Sequence, residues 1–346
     1  MRILIVKPSS LGDVIHGMPS AMLLHQQLPE AELSWVVNDN FADVLRPLPF
    51  LKRLILFPRR AFARLETSRI RAFWQELRQE KYDYCLDYQG LFRSGLISWL
   101  SGAGQRYGFA QAREMAPLFY TARIACPDGC RHAVAKNLHM TREFIRCLTG
   151  QTLPPQPVAV EMVFPAEIRD NARRLLPPGN GPLLGIAFSS SWPAKNWPLE
   201  FFRDTVAELQ KALPSLRCWL LGSPAEHEVG EQLLAKLDFL PTVNLAGKTD
   251  LQTLGCLLQQ SQALLTNDSG PMHLAAALSV PCTALFGATD PALTGPFAAD
   301  GTKHTVLRSL CPQSPCFQRQ CPRQGVSCDA GISPHAAATA LLAQMA

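Results

Sequence analysis

Thr266-Asn267-Asp268-Ser269-Gly270-Pro271-Met272-His273 closes the apolar run Ala263-Leu264-Leu265 and opens the helical run Leu274-Ala275-Ala276-Ala277-Leu278. A strand that ends in Asn-Asp-Ser-Gly and turns straight into a helix leaves free backbone N–H groups and a positive dipole end at the carboxyl edge of a sheet, where phosphate can bind. The turn reads as an anion-binding, sugar-handling element of an α/β fold.

A second turn of the same kind stands at the amino terminus. Arg2-Ile3-Leu4-Ile5-Val6 is a short β-branched run suited to a buried parallel strand, and Lys7-Pro8-Ser9-Ser10-Leu11-Gly12-Asp13 leads into a helix carrying Val14, Met18, Met22 and Leu23. Gly12 permits close backbone approach, Ser9 and Ser10 add hydroxyls, and Asp13 places a carboxylate at the helix start. Taken alone, Ser10 and Asp13 also fit a plain helix cap. Two such turns, one in each half of the chain, favour the functional reading.

The 346 residues exceed one ordinary core and fit two domains of about 150 residues each. With 47% hydrophobic and 18% charged residues there is apolar material for two well-buried sheets. The first apolar run is too short for a signal peptide and no stretch suffices for a spanning helix, so a cytoplasmic protein is expected. Of the eleven cysteines, Cys85, Cys147, Cys218, Cys256 and Cys282 fall in apolar patterns and are expected in the core. The formal net charge is +5, but Lys52, Arg53, Arg59, Arg60, Arg64, Arg69 and Arg71 lie against a single acid, Glu66, in their own stretch, with Phe57, Phe62 and Phe73 interleaved. Such a run is either a solvated face or a surface for nucleic acid, an anionic membrane or an acidic glycolipid.

Strand patterns at Leu33 to Val37, Leu54 to Phe57, Tyr84 to Leu86 and Arg106 to Phe109 alternate with helical patterns at Ser10 to Gln27, Ser68 to Glu80, Leu91 to Leu100 and Val134 to Leu148. That alternation predicts a mostly parallel sheet covered on both faces. Thr149-Gly150-Gln151-Thr152-Leu153-Pro154-Pro155-Gln156-Pro157 breaks it and marks a crossover. Strands at Leu183 to Phe188, Cys218 to Leu221, Val243 to Leu245, Ala263 to Thr266 and Thr283 to Phe286 follow, with helices at Leu199 to Leu213 and Ala225 to Leu237. We therefore expect two doubly wound Rossmann-like domains, residues 1–155 and 156–330, facing each other across a ligand cleft, and a carboxyl-terminal helix at 331–346.

In the second half, the loops after successive strands share one chemistry. Ser189-Ser190-Ser191-Trp192-Pro193-Ala194-Lys195-Asn196-Trp197-Pro198 offers hydroxyls and a cation for pyrophosphate. In Gly222-Ser223-Pro224-Ala225-Glu226, Glu226 suits either ribose hydroxyls or a helix amino terminus. Ala246-Gly247-Lys248-Thr249-Asp250 is small enough to close over a flat base. With the Asn267-Asp268-Ser269-Gly270 turn, these loops compose a nucleotide-sugar site.

The Lys195-Asn196-Trp197-Pro198 turn and Thr266 to Leu278, together with Ile3 to His16, Tyr82 to Leu91 and Phe286-Gly287-Ala288-Thr289-Asp290-Pro291, give the chain a resemblance to the ADP-heptose:lipopolysaccharide heptosyltransferases, family 9 glycosyltransferases of GT-B architecture, over nearly its whole length. Gln111-Ala112-Arg113-Glu114 and Arg131-His132-Ala133-Val134 look most like the type I enzymes, which add the first heptose to Kdo. The resemblance implies an inverting transfer of L-glycero-D-manno-heptose from ADP-heptose to Kdo of the lipopolysaccharide inner core. It makes Asp13 the general base and Ser9, Ser10, Ser189, Ser190, Lys195, Glu226, Asp268, Ser269, Gly270 and His273 the donor-binding set, His273 in a supporting role. Arg59, Arg60, Arg64, Arg93 and Arg113 would meet the Kdo carboxylates and lipid A phosphates. The implied partners are ADP-heptose, Kdo-lipid A or a lipopolysaccharide inner core, and the cytoplasmic face of the inner membrane, contacted peripherally; nucleic acid is not among them.

No cofactor is expected. The sequence has no Asp-X-Asp pair with which to hold a divalent ion, so departure of ADP would rest on a lysine and a helix dipole. Cys311, Cys316, Cys321 and Cys328 form a cluster with four, four and six intervening residues, which suits either a structural metal or reduced thiols. Transfer to a heptosylated core or to a protein is the nearest alternative activity. A nucleotide-sugar 2-epimerase would have no need of the Arg59-Arg60 patch, and a nucleotide-sugar binding protein without activity would have no use for Asp13 beside a basic patch.

Overall fold

The computed structural model describes residues 1–298, 301–321, 328 and 331–345. Two compact units divide them, Met1–Val163 and Phe164–Ala346. The division follows local bonding: the Val163 N–H donates to the Pro47 carbonyl of the first unit, whereas the Phe164 ring lies against Gly255 of the second, where even a Cβ would come within 2.5 Å of it.

The first unit winds as β1 (Arg2–Val6), α1 (Leu11–Gln27), β2 (Glu32–Asn38), β3 (Leu51–Phe57), α2 (Arg59–Arg64), α3 (Thr67–Gln79), β4 (Tyr84–Asp87), α4 (Phe92–Leu100), β5 (Gln105–Phe109), β6 (Ala122–Ile124) and α5 (Ala133–Thr149). Its six strands pair in parallel in the order β3-β2-β1-β4-β5-β6. Central β1 is shielded on both faces, which is why Ile3 to Val6 form one apolar run rather than an alternation. Leu4 and Val6 join Val36, Ile55, Phe73, Leu77 and Ile97 in a core under α3 and α4.

The second unit comprises α6 (Ala166–Leu175), β7 (Leu183–Ala187), α7 (Leu199–Ala212), β8 (Arg217–Leu221), α8 (His227–Ala235), β9 (Thr242–Asn244), α9 (Leu251–Gln259), β10 (Ala263–Asn267), α10 (Gly270–Ala277), β11 (Cys282–Phe286), α11 (Pro291–Thr294), β12 (Thr305–Arg308) and α12 (Pro334–Met345). Its sheet is also parallel, in the order β12-β11-β10-β7-β8-β9. Read from β9, this is the winding of the first sheet repeated. Each sheet therefore reverses its direction of growth once, between β1 and β4 and between β7 and β10, and at such a switch the loops diverge and leave a crevice.

Two expectations are corrected. Cys147 is exposed on the outer side of α5, while Cys85, Cys218, Cys256 and Cys282 are buried. The linear basic run does not form one surface. Lys52 and Arg53 open β3 at the amino edge of the sheet, where Glu32 pairs with Lys52 and Glu80 takes Arg53 at 2.8 Å, whereas Arg59, Arg60 and Arg64 follow β3 at the opposite edge. Acids distant in sequence neutralise the first two. Among the described residues no helix is long and apolar enough to cross a membrane.

Candidate active site

At the switch point of the second sheet, the loops after β7 and β10 are tied together. Asn267 at the end of β10 accepts the Trp197 N–H at 3.3 Å, and Asn196 accepts the Ser190 N–H at 2.7 Å. Within this frame Lys195 Nζ lies 2.5 Å from Asp268 Oδ2 and 4.6 Å from the centre of the Trp192 ring. The Thr289 hydroxyl, from the loop after β11, donates to the same Asp268 oxygen at 2.6 Å. Asp268 is only 5% exposed, so the ammonium is held in a fixed place by a nearly buried carboxylate.

Beside this pair α10 begins. Ser269 has extended backbone at the helix start and Pro271 falls in the first turn, where its missing N–H costs nothing. The N–H groups of Ser269 and Gly270 have no acceptor among the described residues, so the helix presents donors and a positive dipole end together. His273, one turn on, is buried. The loops after β8 and β9 are pressed together by Gly247, whose N–H donates to the Gly222 carbonyl at 2.9 Å, and whose positive φ of 75° brings it against Pro224. Glu226 Oε2 accepts the Ser223 N–H at 2.5 Å, which occupies one of its oxygens in shaping the turn.

The first sheet has its own construction. Asp13 Oδ2 accepts from both the N–H of Ser10 at 2.9 Å and its hydroxyl at 3.0 Å, so Asp13 fixes the entry to α1 with one oxygen. Its side chain remains 40% exposed. Lys7, at the end of β1, is buried, donates to the Tyr88 carbonyl at 2.7 Å and holds its ammonium 3.8 Å from Asp13 Oδ1. Burial pushes the Lys7 ammonium below the ordinary lysine range, against the pull of Asp13 and Asp87. Asp87 closes β4 and organises the next loop: it accepts from the N–H groups of Gln89 and Gly90 and from the hydroxyls of Ser94 and Tyr120. Burial nevertheless raises its carboxyl above the ordinary range.

The five arginines all follow strands at this edge. Arg59, Arg60 and Arg64 lie on α2 after β3; Arg93 lies at the start of α4 after β4, its guanidinium 5.7 Å from the Phe57 ring centre; Arg113 follows β5, its N–H on the Gly90 carbonyl at 3.0 Å.

The model of glycosyltransferase family 9 (heptosyltransferase) matches residues 70–327. The chain belongs to this family. It is 30% identical over 336 residues to lipopolysaccharide heptosyltransferase 1 of Pseudomonas aeruginosa, covering 94% of this chain and 88% of that protein. The heptosyltransferase WaaC of Escherichia coli solved with ADP superposes with a TM-score of 0.78 at 24% identity, covering 99% of this chain and all of the other. The same enzyme solved with ADP-2-deoxy-2-fluoro heptose gives 0.72 at 26% identity, covering 89% and 93%. The fold of this family 9 glycosyltransferase is accordingly GT-B.

Two residues of this family 9 chain were not singled out from sequence. Lys7 reads as a loop residue until the return of β4 beside β1 brings the Tyr88 carbonyl to it, and Thr289 gains a role only because β11 lies next to β10. The cysteine cluster gains no support as a metal site. Among the described residues no group of three or more His, Cys, Asp or Glu side chains is arranged to hold a metal ion, Cys311, Cys316, Cys321 and Cys328 included. Burial first, then the neighbouring Cys321, Cys316 and Cys311, push the Cys328 thiol up to about 11, so it stays protonated at neutral pH.

Proposed function

We propose that this family 9 enzyme transfers L-glycero-D-manno-heptose from ADP-heptose to Kdo of the lipopolysaccharide inner core, with inversion, as a peripheral protein on the cytoplasmic face of the inner membrane. The observation that carries the donor half is the Lys195–Asp268 pair beside the open N–H groups of Ser269 and Gly270. A diphosphate there meets a fixed cation and a helix dipole, both of which stabilise the charge that grows on departing ADP. Ser189 and Ser190 add hydroxyls, Glu226 keeps Oε1 for ribose, Asp268 orients the sugar, and His273 supports the turn.

In the acceptor half, Asp13 takes the proton of the Kdo hydroxyl on Oδ1, since Oδ2 is engaged by Ser10. The freed oxygen bonds to the anomeric carbon, and the pair of the breaking C–O bond leaves with the β-phosphate of ADP. Lys7 stabilises the carboxylate until that transfer. Ser9 and Ser10 line the donor side of the turn, and Arg59, Arg60, Arg64, Arg93 and Arg113 bind acceptor carboxylates and phosphates.

ADP release with ADP-heptose and Kdo-lipid A, in the presence of a chelator, tests the reading. The wild type is expected to turn over, and Asp13→Asn to lose about 10²- to 10⁴-fold in kcat, the span ascribed to one general base. Turnover only on a heptosylated core or a polypeptide would move the acceptor assignment, and an undiminished Asp13→Asn enzyme would remove the base.

A further inference from the structure

Helix α4 is inside out. Its inward face is made of Ser94, Gly95, Ile97 and Ser98, whereas Phe92, Leu96 and Trp99, spaced i, i+4 and i+7, look outward. Phe92 is 48% exposed and Trp99 53%. A surface helix ordinarily shows the reverse pattern, because large apolar groups gain most from burial. The small inward residues have their own reasons: the Ser94 hydroxyl serves Asp87, and at Gly95 a Cβ would come within 2.7 Å of Phe119.

That close approach seats the one-turn helix Ala116–Phe119 against α4. The Phe119 ring meets those of Phe92 at 5.4 Å and Trp99 at 6.4 Å between centres. Leu118 and Met115, each 66% exposed, extend the apolar surface beyond it. The outcome is a group of three aromatic rings and two long apolar side chains on adjoining segments, the kind of exposed apolar surface that marks an interaction site.

The rim is cationic. Between residues 91 and 125 the sequence holds Arg93, Arg106, Arg113 and Arg123 against one acid, Glu114. Arg106 donates to the Phe119 and Ala103 carbonyls, Arg123 to the Pro117 carbonyl, and Arg78, reaching over from α3, to the Leu100 carbonyl. Among the described residues none of these guanidinium groups has a carboxylate partner, so their charge is uncompensated by acids. A twofold contact with a second copy would set these cations against themselves. Tryptophan and phenylalanine within a ring of arginines match instead the boundary of an anionic bilayer, with rings among the acyl chains and guanidinium groups at the phosphates.

We propose that the outer face of α4 with Ala116–Phe119 is the seat of this protein on an anionic membrane, inserting Phe92, Trp99, Met115 and Leu118 into the interface. The inference rests on the peripheral-membrane reading and deepens it: Arg93 and Arg113, assigned to the acceptor, flank the patch, so a lipid-anchored acceptor is met where the protein touches the bilayer.

Co-sedimentation with vesicles of phosphatidylethanolamine and phosphatidylglycerol, beside phosphatidylcholine alone, tests it. Trp99→Gln and Leu118→Gln change exposed side chains, and Phe239→Gln, an exposed site in the second unit, serves as control. The wild type and control are expected to bind the anionic vesicles. Each patch variant should bind roughly tenfold or more weakly, from losing at least two buried CH₂ equivalents. Turnover of the patch variants on a deacylated, soluble Kdo acceptor should match the wild type and fall only on vesicle-borne acceptor. Equal vesicle binding by wild type and patch variants overturns the seat. So does a wild type that ignores anionic vesicles, or one that forms a dimer in solution abolished by the same substitutions. Vesicle binding that depends on Trp99 and Leu118 without ADP release on either acceptor supports the seat and rejects the proposed acceptor.

Discussion

Lys7 Nζ stands 3.8 Å from Asp13 Oδ1 while donating to the Tyr88 carbonyl at 2.7 Å, so the end of β1, the start of α1 and the loop after β4 share one buried ammonium. Its position between two strand ends makes this lysine a structural cation as well as a neighbour of the proposed base.

The lysine predicts a pH dependence of stability. Burial lowers the native ammonium from the ordinary 10.5. Between that lowered value and 10.5 the unfolded chain holds a proton that the native chain has released, so stability attributable to this group rises with pH across the window and is flat below it. Lys7→Met should abolish the rise. Urea midpoints of wild type and variant, taken at neutral and at alkaline pH, measure it; parallel dependence in both proteins would show that Lys7 does not titrate as described.

Lys195 and Asp268 should act as a unit toward ADP. Lys195→Ala is expected to weaken ADP binding by about 1.5–3 kcal/mol, the worth of a hydrogen bond to a charged group. Asp268→Ala should also weaken it, because Lys195 and Thr289 lose the oxygen they share. In the double variant the losses should fall short of their sum. Calorimetric titration with ADP closes the cycle, and simple additivity would mean that the carboxylate does not position the cation.

Tyr120→Phe should destabilise the first unit by about 1–3 kcal/mol, since it takes one donor from a carboxylate with no solvent to replace it. The Tyr120 hydroxyl donates to Asp87 Oδ2 at 2.7 Å. Gly108→Ala reaches the same bond by another route: a Cβ there would come within 2.2 Å of the Tyr120 ring and displace it. Thermal unfolding of both single variants and the double should show losses that overlap rather than add.

Replacing Arg59, Arg60 and Arg64 together with glutamine should raise the acceptor KM by about tenfold or more with kcat nearly unchanged, because uniform binding is removed rather than transition-state contact. Acceptor KM of the wild type should rise with salt, and that dependence should be weaker in the variant. Steady-state kinetics at two ionic strengths distinguish this from a loss of kcat, which would place the arginines at the reacting centre.

The central strands were legible because strands covered on both faces are written as apolar runs: Ile3 to Val6 and Ala263 to Leu265 announce themselves. The edge strands β6 and β12 were not, since Ala122–Ile124 and Thr305–Arg308 are short, half-exposed and carry arginine. The turns at Asp13 and Asp268 could be read as candidate positions for chemistry from strand-to-helix punctuation and residue type. Their partners could not. Lys7 with Tyr88, Asp268 with Thr289, and Arg53 with Glu80 are joined by strand order, which no local pattern encodes. Cys147 shows the limit of pattern from the other side, an apolar residue type on the wet side of its helix.

The two sheets repeat one winding, each with its own switch point, so each crevice is encoded by its own contiguous stretch of gene. On the proposed reading, changes in the loops after β1, β3, β4 and β5 can redirect which sugar is extended while the nucleotide-handling loops of the second unit are left untouched. On the same reading a hybrid that exchanges residues 1–163 takes its acceptor arginines and Asp13 from one parent and its Lys195–Asp268 pair from the other.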